Sequence, residues 1–116
     1  QDDTPVARRP VYSALLPEPW HHGQVIVVGN AAHSMPPHFG QAGAQALEDA
    51  SVLSDLLASA RHASELAQPF TARRCLRARQ LHAIAATAAR WDLEPESATD
   101  LGELSERLSR LVAEPA

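Results

Sequence analysis

The stretch VIVVGNAAHSMPPHFGQAGAQALEDA, residues 25–50, changes character twice. Residues 25–28 are four apolar, β-branched residues in a row, the pattern of a central strand covered on both faces. Residues 29–43 form a segment rich in Gly and Pro, with His33 and His38 inside it. From about residue 42 to residue 60 the apolar residues fall at helical spacing. Leu47, Ala50, Leu53 (or Ser54) and Leu57 define one stripe, expected to be the buried face. A strand that hands over to a helix through a glycine-rich loop is a common place to hold a ligand. The residue where that handover begins is Asn30.

Composition sets the frame around this unit. The chain has 116 residues, enough for one small domain with a modest core. Hydrophobic residues make up 45%, an ordinary globular proportion, and the net charge is −4. An acidic balance argues against nucleic acid as the main partner, because phosphate binding needs a dense basic face. All basic residues are Arg. The single cysteine, Cys75, cannot form an internal disulfide, and no thiolate metal pattern accompanies it, which fits a reducing, cytoplasmic setting. No apolar run approaches the roughly 20 residues needed to span a bilayer, and no signal peptide is visible.

Working outward, residues 1–16 read as an irregular lead-in, with a possible short strand over 11–16. Pro17 and Pro19 then interrupt regular structure, and Trp20-His21-His22-Gly23 reads as a turn. The strand–loop–helix unit occupies 17–60 and a helical segment 61–116. In the latter, 61–68 is a connector and a helix runs from about 69 to 91, with Phe70, Leu81, Ile84, Ala88 and Trp91 as candidate core. A last helix carries Leu101, Leu104, Leu108 and Leu111 at spacings of three, four and three. The inventory predicts an α/β fragment that is mainly α by content: one or two strands followed by about three helices. One strongly apolar strand with at most one neighbour is marginal in water. Sheet partners are therefore expected from another chain or from the rest of a longer protein, an expectation that the start at Gln1 also prompts.

The loop has the chemistry of a ligand site. A side chain at position 30 sits at the carboxyl end of a strand, where open α/β sheets bind ligands. Pro36-Pro37 stiffens the crossing, and Gly40 and Gly43 allow close backbone approach. The helix that follows presents free N–H groups and a positive dipole end, suited to phosphate or a delocalised anion. A tight connection with no ligand is the plain alternative. His33 and His38 lack the further ligands a metal would need, so His33 is expected in a structural hydrogen bond and His38 beside a ligand at most. His21 and His22 are expected in a surface turn. Glu48 and Asp49 are adjacent and point in different directions, which disfavours a shared catalytic role and favours a helix-dipole or capping role for one of them. Arg73, Arg74, Arg77 and Arg79 read as a solvated basic face, or as a contact for an absent acidic surface.

The motif Gly29-Asn30-Ala31-Ala32-His33, Pro36-Pro37, Gly40-Gln41-Ala42-Gly43 and Leu47-Glu48-Asp49-Ala50 resembles the second flavin-binding motif of the class A FAD-dependent aromatic hydroxylases, the para-hydroxybenzoate and salicylate hydroxylase type. The usual form there is a strand, then G-D-A-A-H, a Pro- and Gly-rich loop, and a helix with an acidic pair before Ala. The resemblance also takes in the approach from Pro17 to Gly23 and, loosely, the Arg-bearing helix. It implies a Rossmann-like FAD-binding sheet and cofactor contacts at Gly29, Asn30, Pro37, Gly40, Gln41, Ala42, Gly43 and Ala44. The residue at 30 would bond the ribityl chain, and the helix N-terminus near Gly43-Ala44 would face the ring edge that gains charge on reduction. It implies NAD(P)H as reductant and O2 as the oxygen source for a small aromatic substrate, with no catalytic protein nucleophile, no metal, and neither nucleic acid nor membrane as partner.

Three departures from the pattern stand out. Asn30 replaces the family's Asp and loses a charged acceptor. Ala42 stands where Gly is frequent. The chain contains no G-x-G-x-x-G to hold the pyrophosphate, so an N-terminal portion or a partner chain carrying it is required. The expectation is therefore the C-terminal part of an FAD-dependent monooxygenase, not active alone. The alternative is a degenerate, non-catalytic module that retains the fold element for binding or assembly.

Overall fold

The computed structural model describes residues 4–116; part of the expected lead-in, residues 1–3, lies outside the described residues. Residues 4–13 run without regular structure and are exposed. A two-residue strand β1 (Ala14–Leu15) then bridges antiparallel to Ser34 and His33. Strands β2 (His21–His22) and β3 (Val25–Ile26) pair antiparallel, His21 opposite Ile26 and His22 opposite Val25. The Val27 N–H extends the ladder to the Trp20 carbonyl at 2.9 Å.

The hairpin corrects two expectations. His21 and His22 lie in a strand, and the turn falls at Gly23-Gln24, where Gly23 supplies the positive φ of +58° that a tight reversal needs. The segment 25–28 is not covered on both faces: Val25 is 64% exposed and Val28 40%. Its only paired neighbour among the described residues is β2, while Ile26 and Val27 are partly buried against the core.

A single helical turn α1 (Asn30–His33) follows at once, where the sequence suggested open loop. It forms because the Gly29 carbonyl accepts the N–H groups of Ala32 and His33, both at 2.9 Å. After a 3-10 turn over His38–Gly40, helix α2 (Gln41–Ser59) begins. Helix α3 (Ala67–Leu93) is 27 residues long, roughly 40 Å at 1.5 Å per residue. It starts two residues earlier than expected, and Pro69 sits in its first turn, where a missing N–H is harmless. Helix α4 (Leu101–Ala113) is opened by Asp100, whose carboxylate accepts the Glu103 N–H at 2.9 Å, a capping arrangement worth about 1 kcal/mol.

Helix α3 is the spine, and three apolar clusters succeed one another along it. Phe70, Cys75 and Ala78 pack with Trp20, Ala32 and Val52. Leu81 and Ala85 pack with Met35. Ile84 and Ala88 pack with Leu104, flanked by Leu108, Leu111 and Trp91. The α4 seam thus packs within the chain, except that Leu101 stays 62% exposed. The architecture is the expected one, mainly α with a small sheet, and it is elongated, 60 × 37 × 21 Å. The radius of gyration of 17.0 Å exceeds the roughly 13 Å typical of a compact domain of this length.

The buried face of α2 is not the one the apolar stripe predicted. Leu47 is 74% exposed, Leu57 56%, and Ala50 and Ser54 are also exposed. Gln45, Asp49 and Val52 face inward instead. Leu53, alone of that stripe, packs on the core together with Leu56, and the inward face combines these apolar residues with a polar network.

Candidate functional site: a loop held by a buried polar network

Gly29 takes φ +59° and ψ −142°, a backbone region that side-chain-bearing residues avoid. A Cβ there would also stand 3.4 Å from Ala46 of α2, so the strand end is pressed against that helix. Asn30 comes next and is exposed, as is Ala31, while Ala32 and His33 turn inward. The loop then crosses the molecule with Pro37 exposed, and Phe39 and Gly40 both adopt left-handed conformations, at φ 64° and 63°.

Gly40 is the N-cap of α2. No side chain caps this end, and no acidic residue lies in its first turn. The first four N–H groups of the helix therefore remain available, and its positive end is uncompensated. Gly43 and Ala44 are exposed, Gln41 and Ala42 half-buried. The helix thus begins at Gln41, within one residue of the start near residue 42 expected from the spacing, with Gly40 in the left-handed cap conformation. Of the eight candidate cofactor residues, Gly29 alone is buried.

Beneath this surface lies a network that sequence reasoning missed. Asp49, at 0% exposure, accepts at Oδ2 from the Gly29 N–H (2.8 Å) and stands 2.7 Å from His33 Nε2. Its other oxygen accepts from Arg74 Nε at 2.7 Å. Arg74, also fully buried, reaches Glu48 Oε2 at 2.7 Å and Gln45 Oε1 at 2.6 Å. Arg77 donates to Glu48 Oε1 at 3.0 Å. Its Nε lies 2.8 Å from Glu48 Oε2, but not in a bonding direction. Glu48 and Asp49 are therefore not dipole or capping partners. Arg74 and Arg77 are not a solvated face. His33 does make the expected structural hydrogen bond, and its ring lies 5.4 Å from that of Trp20. Arg73 and Arg79 are at the surface, beside Asp55 and Glu18.

A signal for the network was present. Gln45, Asp49 and Val52 share one helical stripe, and Phe70, Arg74, Ala78 and Leu81 share another. The lone charge in the apolar stripe of α3 and the opposite charge beside Val52 on α2 together point to a buried pair.

Burial alone would raise the Asp49 carboxyl. Hydrogen bonds from His33, Arg74 and Gly29 outweigh it and hold the group below its ordinary value of 3.8. Burial likewise opposes ionisation of Glu48, but Arg77 and Arg74 keep it below 4.5. Carboxyls depressed in the folded state contribute stability that is present above their ordinary values and lost as pH falls through the folded ones. His82, lowered first by burial and then by the charge of His33, opposes protonation as well, so its contribution fades below 6.5. Urea midpoints should accordingly decline gently from pH 7 to pH 5 and steeply below pH 4. A midpoint unchanged down to pH 3 would contradict the network.

His38 pairs with Asp92, Nε2 to Oδ2 at 2.6 Å, at the rim of an apolar cavity of about 300 Å³ lined by Phe39, Ala88, Trp91, Pro95 and Leu101. The Cys75 thiol is pushed up to about 11, by burial and then by Glu18, so it is protonated at neutral pH. Among the described residues no group of three or more His, Cys, Asp or Glu could hold a metal, and no helix is long and apolar enough to cross a membrane.

Comparison with known proteins gives this strand–loop–helix unit a family. The profile of the FAD binding domain family matches residues 11–85, well over half of the chain, and the chain belongs to that family. The FAD-dependent urate hydroxylase of Klebsiella oxytoca is 44% identical over 59 residues, 51% of this chain and 15% of that protein. YetM of Bacillus subtilis, whose name places it among the FAD-dependent monooxygenases, is 34% identical over 92 residues, 79% of this chain and 25% of that protein. The FAD-dependent monooxygenase penM of Penicillium crustosum is 50% identical over 38 residues, 33% of this chain and 8% of that protein. The chain thus spans a quarter or less of these relatives. No solved structure matches it significantly.

Proposed function

We propose that this chain supplies one wall of the FAD site of an NAD(P)H-dependent monooxygenase that hydroxylates a small aromatic substrate in the cytoplasm. The remaining walls, including a G-x-G-x-x-G pyrophosphate loop, come from an N-terminal portion or a partner chain. The observation that carries this is the pairing of an exposed Asn30 at the strand end with an uncapped, exposed N-terminus of α2.

The residues present fit that group. Asn30 offers a donor and an acceptor to the hydroxyls of a ribityl chain. The free N–H groups of α2 offer donors and a positive dipole end to an edge that becomes anionic. Gly40 and Gly43 keep that approach free of side chains. Bound FAD would supply the redox chemistry, taking electrons from NAD(P)H and activating O2. This chain's part is to hold, orient and stabilise charge.

Co-purification with the segment carrying the glycine-rich loop should give a yellow protein that oxidises NAD(P)H faster when substrate is present. A colourless complex that added FAD cannot restore would sink the proposal. It would favour the second reading, a non-catalytic binding module, for which the neutral Asn30 is the supporting observation. In the assembled protein Asn30→Asp is expected to tighten FAD binding about fivefold, since a charged acceptor gains roughly 1 kcal/mol over a neutral one. Titration by quenching of flavin fluorescence measures it, and an unchanged Kd means position 30 does not touch the cofactor.

A further inference from the structure

We propose that Asp49 is a positioning residue for the flavin site, one carboxylate oxygen clamping both ends of α1 and thereby fixing where Asn30 faces. The flavin as ligand rests on the function proposed above; the clamp rests on geometry alone.

A four-residue helix cannot persist by its own hydrogen bonds, because nucleation is unfavourable at that length. α1 persists because it is tied down from outside. At its head, the Gly29 N–H points at Asp49 Oδ2, 2.8 Å away. At its tail, His33 Nε2 meets the same oxygen at 2.7 Å. An ionised carboxylate only accepts, so both partners are donors to it. The Gly29 carbonyl closes the turn onto Ala32 and His33. Both backbone polar groups of Gly29 are thus committed, and its φ +59°, ψ −142° conformation is held by named partners. Of the three residues between the tied ends, Asn30 and Ala31 face outward and Ala32 packs into the core. Asp49 itself cannot swing, because Arg74 Nε holds its second oxygen at 2.7 Å. Arg74 in turn is fixed by Glu48 and Gln45. The chain of constraint runs from α3 through Asp49 to the outward face of α1, and Asp49, fully buried, lies behind that face.

Asp49→Asn keeps the size but leaves one acceptor oxygen for donors that occupied two. Amide exchange read by NMR should then show the Gly29 N–H exchanging about tenfold faster or more, with protection of the Leu81 and Ile84 amides in α3 retained. In the assembled protein, FAD affinity should fall about tenfold in Asp49→Asn and about fivefold in Asn30→Ala. The double variant should be no weaker than Asp49→Asn, because a mispositioned Asn30 has nothing left to lose. Additive losses, or unchanged Gly29 exchange, would overturn the proposal. Should Asp49→Asn not fold, the unmodified chain decides. A scalar coupling through the hydrogen bond, between the Gly29 amide nitrogen and the Asp49 carboxyl carbon, supports the clamp, and its absence refutes it. An assembled wild-type protein that binds no FAD defeats the functional proposal, while the exchange and coupling measurements still decide the clamp.

Discussion

Replacing Arg74 by methionine is expected to destabilise the chain by about 3–5 kcal/mol, read as a fall in the urea midpoint with an unchanged slope. The guanidinium is fully buried and donates to Asp49, Glu48 and Gln45. Methionine fills much of the volume but leaves the Asp49 carboxylate, itself at 0% exposure, without its counter-charge. A buried charge stripped of its partner costs far more than the pair contributed, since desolvation is no longer offset. Against a typical domain stability of roughly 5–15 kcal/mol, such a loss removes much of the fold. The double variant Asp49→Asn with Arg74→Met should lose less than the two single effects summed, because no uncompensated charge remains. Strict additivity would mean that the two residues are not coupled, and a single-variant loss below about 1 kcal/mol would mean that water reaches the network.

Trp20→Ala is expected to cost about as much, 3–5 kcal/mol, by a different route. The indole is fully buried in the cluster that joins the hairpin to α2 and α3. Its Nε1–H donates to the Leu16 carbonyl at 2.9 Å, tying the β2–β3 hairpin to the segment that bridges α1. Truncation opens a cavity beside His33, whose ring lies 5.4 Å away, and frees the hairpin from the site. Trp20→Phe retains most of the apolar volume and loses one hydrogen bond, so its cost should be nearer 1 kcal/mol plus a smaller packing loss. Thermal unfolding of the two variants separates the contributions. Equal costs for Phe and Ala would place the weight on the hydrogen bond.

The exposed loop and the start of α2 were more legible in the sequence than the core beneath them. Asn30, Gly40 and the start of α2 follow from local rules: a β-branched run ends, glycines permit special backbone angles, and a helix begins. The network escaped because its members lie far apart in sequence, Gly29 and His33 on one side of a long loop, Asp49 on α2 and Arg74 on α3. Charged side chains on helices are ordinarily solvated, so Arg74 and Asp49 read as surface. The apolar spacing on α2 points to Leu47, Ala50, Leu53 and Leu57, of which Leu53 packs on the core and the others stay exposed.

What the sequence determined by itself was the order of the three long helices, the apolar stripes of α3 and α4, and the loop whose motif places the chain in the FAD binding domain family. These depend on residues close together in the chain. What only the tertiary structure decided was which face of α2 turns inward, that residues 30–33 form a clamped helical turn, and that Val25 and Val28 stay partly uncovered. Those outcomes depend on which groups meet across the fold. A buried carboxylate must find its donors wherever they lie, and those of Asp49 come from residues far away in the chain.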